Sequence, residues 1–181
     1  GDFSIMSELR TNRIVPRDGL PTGSFGGIIQ VVQTVKQSVQ TIGINQENDV
    51  MSATINLKHA SSKVMICWAI TVGRGNDDYG FLKLFEGSSE ITGASGNTGT
   101  GNRPNALEAI SNRGGGNDDR HLTTRCTGTY IHTPSSTSPT IKITAKCTYG
   151  SNVYINQAAQ DDNQPYNIRC ASFLQLYELA G

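Results

Sequence analysis

The segment KVMICWAITV, residues 63–72, is apolar at almost every position. Side chains of a β-strand alternate between its two faces, and a half-buried strand therefore alternates apolar and polar residues. Here both faces would be apolar, and we predict that both are covered, one by a second sheet and one by a neighbouring subunit. One face would carry Val64, Ile66, Trp68, Ile70 and Val72, and the other Met65, Cys67 and Ala69.

Shorter stretches rich in β-branched and aromatic residues flank this segment and are separated by turn signals. Residues 93–119 are rich in Gly and Asn, which indicates a long loop, and we expect one helical turn within it at Ala106–Ile110. About eight strands without a convincing helix predict a sandwich, jelly roll or barrel, with the last strand in the middle of a sheet. The other predicted strands are Ile28–Lys36, Val50–Leu57, Tyr79–Phe85, Glu90–Thr92, His121–His132, Thr140–Thr148, Val153–Asn156 and Ile168–Leu179.

Composition narrows the classes of function. The 181 residues suit one domain, and 15 basic residues balance 15 acidic ones. A general nucleic-acid binder or an anionic-membrane binder would show a basic excess, so we expect neither partner. No apolar run approaches the ~18 residues of a membrane-spanning helix, so we expect no membrane insertion.

Residues 1–27 differ from the rest of the chain because they combine charge, two prolines and a Gly-rich end. We predict an extended N-terminal arm there, followed by one domain at residues 28–181. Residues 1–5 precede Met6, and we expect them to be left over from expression or processing. The apolar residues that would anchor the arm on a partner are Leu9, Ile14, Val15, Leu20 and Phe25.

Four stretches carry a resemblance to a known family: residues 63–68, 79–85, 149–156 and 172–179. Together with residues 6–19, they resemble a domain of phage virion structural proteins, especially the tail-fibre-like proteins of marine and cyanobacterial phages. That domain looks like the trimeric jelly roll of tumour necrosis factor and the complement globular head. The resemblance implies an antiparallel jelly-roll sandwich and a homotrimer. The expected interface and core strand residues are Val64, Met65, Ile66, Cys67, Trp68, Ala69, Phe173, Leu174, Leu176 and Tyr177.

Three loops carry similar acidic clusters, at residues 76–78, 117–119 and 161–163. Calcium takes carboxylate and carbonyl oxygens from such loops, but Asp and Asn are also the ordinary residues of turns. Both interpretations stay open, and so does a role of these loops in receptor binding. The residues concerned are Asp77, Asp78, Asp118, Asp119, Asp161 and Asp162; we expect no other cofactor.

No catalytic signature stands out. His59, His121 and His132 lack the spacing of a zinc helix, and no Gly-x-Ser-x-Gly turn occurs. The four cysteines form no C-x-x-C pair, and we predict free thiols. Tyr130, Tyr154 and Tyr166 could stack on sugars, although such residues more often pack across strands.

The sequence therefore predicts a non-enzymatic virion structural protein of a phage, fibre-like or accessory, located in the virion and assembled in the bacterial cytoplasm. Its expected partners are other copies of itself and other virion proteins. Two alternatives stay open: an adhesin that binds a host-surface polysaccharide, and a capsid decoration protein.

Overall fold

A computed structural model describes residues 27–75, 77–96, 102–111 and 120–181. Within these ranges the regular elements include eleven β-strands and a short 3₁₀ turn at Thr92–Ala94. The strands are β1 (Ile28–Lys36), β2 (Gln40–Gly43), β3 (Glu47–Thr54), β4 (Lys63–Arg74), β5 (Tyr79–Glu86), β6 (Ser89–Glu90), β7 (Glu108–Ser111), β8 (Thr123–His132), β9 (Thr140–Tyr149), β10 (Asn152–Ile155) and β11 (Ser172–Leu179).

The strands form two antiparallel sheets. In sheet A, β4 lies between β8 and β11, and β11 lies between β4 and β1. Beyond the end of β11, β10 pairs with Val72–Arg74 of β4 and with β2. Sheet B has the order β3-β9-β5-β6, and β7 also pairs with β5. The first and last strands are neighbours and the chain passes repeatedly between sheets, which is the jelly-roll arrangement.

The core lies between the sheets and is aliphatic. On β4 the buried inward residues include Val64, Ile66 and Ile70, each 0% exposed. They face Leu82, Leu84, Ile141 and Ile143 of sheet B within one cluster of buried side chains. The alternation of side chains along each strand therefore places one face of each sheet in the core, as predicted for β4.

Two strands differ from the predicted pattern. The predicted helical turn at Ala106–Ile110 is wrong, because Glu108–Ser111 pairs with β5 as strand β7. Ile110 is 1% exposed, so its burial on the edge of sheet B outweighs local helical preference. Strand β2 was not predicted from the sequence, and its Ile42 is fully buried. The final strand is confirmed in the middle of a sheet, although it begins at Ser172 rather than Ile168.

Two buried polar networks fix the ends of sheet A. The carboxylate of Glu178 accepts hydrogen bonds from the amides of Lys58 and His59, from the Ser62 hydroxyl and from Gln30. Burial raises the pKa of Glu178, but these hydrogen bonds outweigh burial and hold the pKa below its ordinary value. The carboxylate therefore ties the loop before β4 to β11.

The second network is uncharged and centres on Asn156, which follows β10 and has a left-handed φ of 63°. Its amide donates to the carbonyls of Lys36 and Ser38, and its oxygen accepts from Ser172, 2.6 Å away. The Ser172 hydroxyl also accepts from the amide of Thr71 at 2.9 Å. Asn tolerates positive φ better than most residues, so it suits this position.

The two ends of the described domain meet on sheet A. Ile28 pairs with Leu179, and the amide of Ala180 donates to the carbonyl of Gly27 at 3.4 Å. The chain therefore enters and leaves the sandwich at the same end of the same pair of strands.

Candidate functional site

The outer face of sheet A carries three rows of side chains that run across four strands. Strand pairing aligns residues of β1, β11, β4 and β8 in each row. We call these rows the open face. The rows are Val31, Tyr177, Met65 and Ile131; then Gln33, Gln175, Cys67 and Thr129; then Val35, Phe173, Ala69 and Thr127.

No side chain of the three rows is charged, and the first and third rows are mostly apolar. Its flanking strands expose large side chains, since Val31 is 51% exposed, Val35 48% and Ile131 45%. Lys63 lies beyond one end of the rows on the same face of the sheet. At the other end Arg125 lies on the same face, and its guanidinium reaches back over the third row to lie 5.0 Å from the centre of the Phe173 ring. A surface depleted of charge and rich in aromatic residues and Met has the composition of an interface core.

The middle row is polar, but its side chains bond to each other. Gln175 donates to Gln33 at 2.6 Å and accepts from the Tyr177 hydroxyl at 3.1 Å. Cys67 and Thr129 are in contact at 3.5 Å. Because these groups already have partners, covering the row would leave few unsatisfied donors or acceptors.

The residues predicted for the interface and core strand divide between the two faces of sheet A. Val64, Ile66, Trp68, Leu174 and Leu176 lie in the core of the sandwich, so the chain itself covers them. Met65, Cys67, Phe173 and Tyr177 lie on the open face and are half-buried. Ala69 also belongs to this face, although it is only 2% exposed.

The second half of β4 is covered by the chain itself. Residues Asn156–Ala158 pass over Gly73, where a Cβ atom would lie 2.0 Å from the carbonyl oxygen of Gln157. Thr71, on the same face, is 2% exposed. Only glycine permits so close an approach of two backbones. The expectation that a neighbouring subunit covers this face therefore does not apply to Thr71 and Gly73.

Three of the acidic side chains that the structure describes, Asp78, Asp161 and Asp162, have partners within the protein. Asp78 is 4% exposed and accepts from the amides of Gly75 and Ser151. Asp161 forms an ion pair with Arg169, and Asn167 donates to Asp162. Within the described ranges no three His, Cys, Asp or Glu residues form a group that could hold a metal.

Other predicted positions lie outside the described residues. These are Asp118 and Asp119, and the arm residues Leu9, Ile14, Val15, Leu20 and Phe25. Calcium binding and arm anchoring therefore stay predictions.

A cluster of Ser, His and Glu lies at one end of the sandwich, but its hydrogen bonds are not arranged as nucleophilic catalysis requires. His132 contacts Glu86 at 2.8 Å, and the Ser135 hydroxyl donates to the same carboxylate at 2.7 Å. A catalytic serine would instead donate to the imidazole. Partial burial raises the pKa of Glu86, but hydrogen bonds from His132 and Ser135 outweigh it and leave the pKa lowered. The cluster ties β8 of sheet A to β5 of sheet B.

The four cysteines are free thiols in the structure. Burial raises the pKa of the Cys126 thiol to about 11, and burial also raises that of Cys147. A thiol with a raised pKa carries little thiolate at neutral pH and is unreactive. Cys126 and Cys147 therefore behave as small apolar residues of the core, where both are buried.

The tyrosines proposed for sugar stacking occupy three different environments. Tyr130 packs against the core, which does not suit it to be a surface platform. Tyr166 is 55% exposed, and its ring meets that of His121 edge to face at 5.0 Å. Tyr154 is half-buried beside a cleft that the sequence did not predict.

Comparison with known proteins gives a likeness in shape alone. No protein-family model and no curated protein matches the chain. Chains from two structures of infectious bursal disease virus, of the Gx and Gt strains, match 94% of this chain with TM-scores of 0.43 and identities of 11% and 7%. The VP2 subviral particle of that virus matches with a TM-score of 0.40 and 8% identity. The matches cover 42–44% of those chains, and so weak a likeness carries no functional information.

In the described part of the chain, no helix has the length and apolar character needed to cross a membrane.

Proposed function

We propose that this protein is a non-enzymatic structural component of a phage particle that assembles as a homotrimer through its open face. The observation that carries the proposal is the open face itself, three uncharged rows across four strands of sheet A. The number three and the phage particle come from the sequence resemblance.

A second copy of the chain suits this face better than an unrelated charged partner. The side chains of the rows carry no charge, and the guanidinium of Arg125, which lies over Phe173, already donates to the carbonyl of Ala171. The middle polar groups are bonded to each other. Obligate interfaces between copies are core-like in composition and bury about 2,000 Å² or more. Met65, Phe173 and Tyr177 supply the kinds of side chain that dominate such interfaces.

Thr129→Glu tests the assembly. Thr129 is exposed in the single subunit, so a carboxylate there stays hydrated until copies associate. Burying it without a partner costs about 3 kcal/mol per subunit, which is more than a hundredfold in affinity. Sedimentation at micromolar concentration should therefore show trimers for the wild type and monomers with unchanged circular dichroism for the variant.

Ser52→Glu is the matched control. Ser52 is an exposed strand residue on the outer face of sheet B, opposite Lys142 on β9. The same added charge should leave the trimer intact there. A wild-type protein that stays monomeric and folded, or a Ser52→Glu variant that dissociates as fully as Thr129→Glu, contradicts assembly through the open face.

Removal of residues 1–27 tests the anchoring role of the arm. If the arm attaches the protein to the particle, the truncated chain should still form trimers but should no longer copurify with particles. Truncated protein present on particles at the normal copy number would place the attachment in the domain instead.

A further inference from the structure

A cleft of about 500 Å³ lies at the covered half of sheet A and is distinct from the open face. Tyr154 lies on the outer side of β10, because its neighbours Val153 and Ile155 point into the core. Its strand partners are Gly73 of β4 and Thr41 of β2. The residues that line the cleft are Gly75, Asp78, Arg120, Ser151, Tyr154, Ala159 and Gln160.

Internal hydrogen bonds hold the walls of the cleft in place. Asp78 joins the β4–β5 connection to the β9–β10 turn, because it accepts from the amide of Gly75 at 2.8 Å and from that of Ser151 at 2.5 Å. Gly150 has a φ of +85°, and a side chain there would collide with Asp78. On the other side, the backbone amide of Gln160 donates to the backbone carbonyl of Arg120 at 2.9 Å. The site is therefore formed before a ligand arrives, as binding sites usually are.

The side chains that line the cleft favour a polar ligand with little or no charge. It contains the hydroxyls of Ser151 and Tyr154, the side-chain amide of Gln160 and the guanidinium of Arg120. The Tyr154 hydroxyl accepts from Asn152 at 3.4 Å and keeps its own proton to donate, and Gln160 donates to Asp162 at 3.2 Å and keeps its oxygen and a second N–H. Its one carboxylate, Asp78, is 4% exposed and accepts two backbone hydrogen bonds, so it presents little surface to a cation. A largely polar lining also disfavours lipids and other apolar molecules.

We propose that this cleft binds a saccharide. Sugars present many hydroxyls, which the amide, hydroxyl and guanidinium groups of the lining can bond, and an apolar ring face, which can pack on Tyr154. The volume lies within the range of about 300–1,000 Å³ typical of small-ligand sites. This proposal goes beyond the structural role and is independent of it, since no residue of the open face lines the cleft.

The experiment uses the intact wild-type protein on an array of oligosaccharides built from neutral hexoses, N-acetylhexosamines or hexuronates, followed by calorimetric titration of the strongest ligand. Tyr154→Ala removes the stacking surface and should weaken binding about tenfold or more. Gln160→Ala removes a hydrogen-bonding group and should weaken it less. Tyr166→Ala is the matched control, because this exposed tyrosine lies outside the cleft.

An unchanged unfolding temperature of each variant shows that its loss of affinity is local to the cleft. If Tyr154→Ala does not fold, the affinity of Gln160→Ala tests the proposal instead. Absence of binding to every sugar class overturns the proposal. Equal weakening by Tyr166→Ala, or undiminished binding in the cleft variants, also overturns it. Each result can be read whether the protein is trimeric or monomeric, so it is separate from the test of assembly.

Discussion

The two halves of β4 share an apolar pattern, but different parts of the structure cover their outer faces. In the first half, Lys63–Ala69, the core covers one face and the other belongs to the open face. In the second half, the chain itself returns over Thr71 and Gly73. An apolar strand therefore indicates two covered faces, but it does not distinguish a cover made by the same chain from one made by another copy.

The two halves also differ in how they are fixed. A charged group, Glu178, holds the loop that leads into the first half. The neutral pair of Asn156 and Ser172 holds the second half through the amide of Thr71. The stability of the first half should therefore depend on pH. The stability of the second half should depend on side-chain size where the chain crosses Gly73.

The largest effect is expected from Gly73→Ala in the covered half. The new Cβ would lie 2.0 Å from a backbone oxygen, so the segment at Gln157 must move. We expect a loss of about 3 kcal/mol in the free energy of unfolding, measured by urea denaturation. Gly96→Ala is the control, since nothing lies within 4 Å of its added Cβ. Equal stability of the two variants would show that the covering segment is loosely held.

Glu178→Gln should destabilise the protein by about 2 kcal/mol at pH 7, because Gln keeps the size of the side chain but not its two acceptor oxygens. The folded pKa of Glu178 lies below its ordinary value of 4.5. Its stabilisation is therefore complete above pH 4.5 and is lost as the pH falls through the folded pKa.

Denaturation between pH 7 and pH 3 should show a shallower loss of stability in Glu178→Gln than in the wild type. Glu86 has a lowered pKa of the same sign, so part of the loss remains in the variant. Hydrogen exchange should show protection lost first at Lys58–Ser62 and later near Asn156. Identical pH profiles for the two proteins would exclude Glu178 as the titrating group.

Thr71→Val should have a smaller effect and the opposite sign. In the described structure the Thr71 hydroxyl is buried without a hydrogen-bond partner. Replacing it with a methyl group should stabilise the protein by about 1 kcal/mol. Thr144→Val is the control and should destabilise it, since the Thr144 hydroxyl donates to Glu47 at 3.0 Å. Destabilisation by both variants to the same extent would indicate an undetected partner for Thr71.

The smallest perturbation is alkylation, whose rate shows whether the open face is buried between subunits without any substitution. Cys67 lies on the open face, whereas Cys126 is buried in the core with a pKa of about 11. Iodoacetamide should therefore modify Cys67 faster as dilution separates the subunits, and Cys126 should stay slow at every concentration. Peptide mass spectrometry measures both rates. A Cys67 rate independent of protein concentration would indicate that the open face is not covered.

The sequence was sufficient for the fold because its strands are marked by local composition. The β-branched residues of Ile28–Lys36 predicted β1, and the apolar run at residues 64–72 predicted β4. Strand β7 was not predicted, because Glu108–Ser111 is short and its burial depends on pairing with β5. Strand β2 has only four residues and one fully buried side chain, Ile42, which gives too little periodicity.

The sites were harder to predict because they depend on contacts between distant residues. The cleft brings Asp78 of one turn to Ser151 of another, and sequence spacing carries no sign of that contact. Asp161 pairs with Arg169, eight residues further along the chain, and no spacing rule predicts that ion pair. Gly73 was the available signal for the covered half, since a glycine within a strand often marks close backbone approach.

The meeting of Gly27 with Ala180 sets how the domain bears a mechanical load. A pull that separates these two points loads the β1–β11 ladder at its end, where Ile28 pairs with Leu179. The hydrogen bonds then break one after another, and the force needed is small. Tension applied along β11 against β4 would instead load their seven aligned pairs together, in shear. The domain should therefore unfold at low force when it is pulled by its two ends, and at higher force when the load runs along β11 against β4.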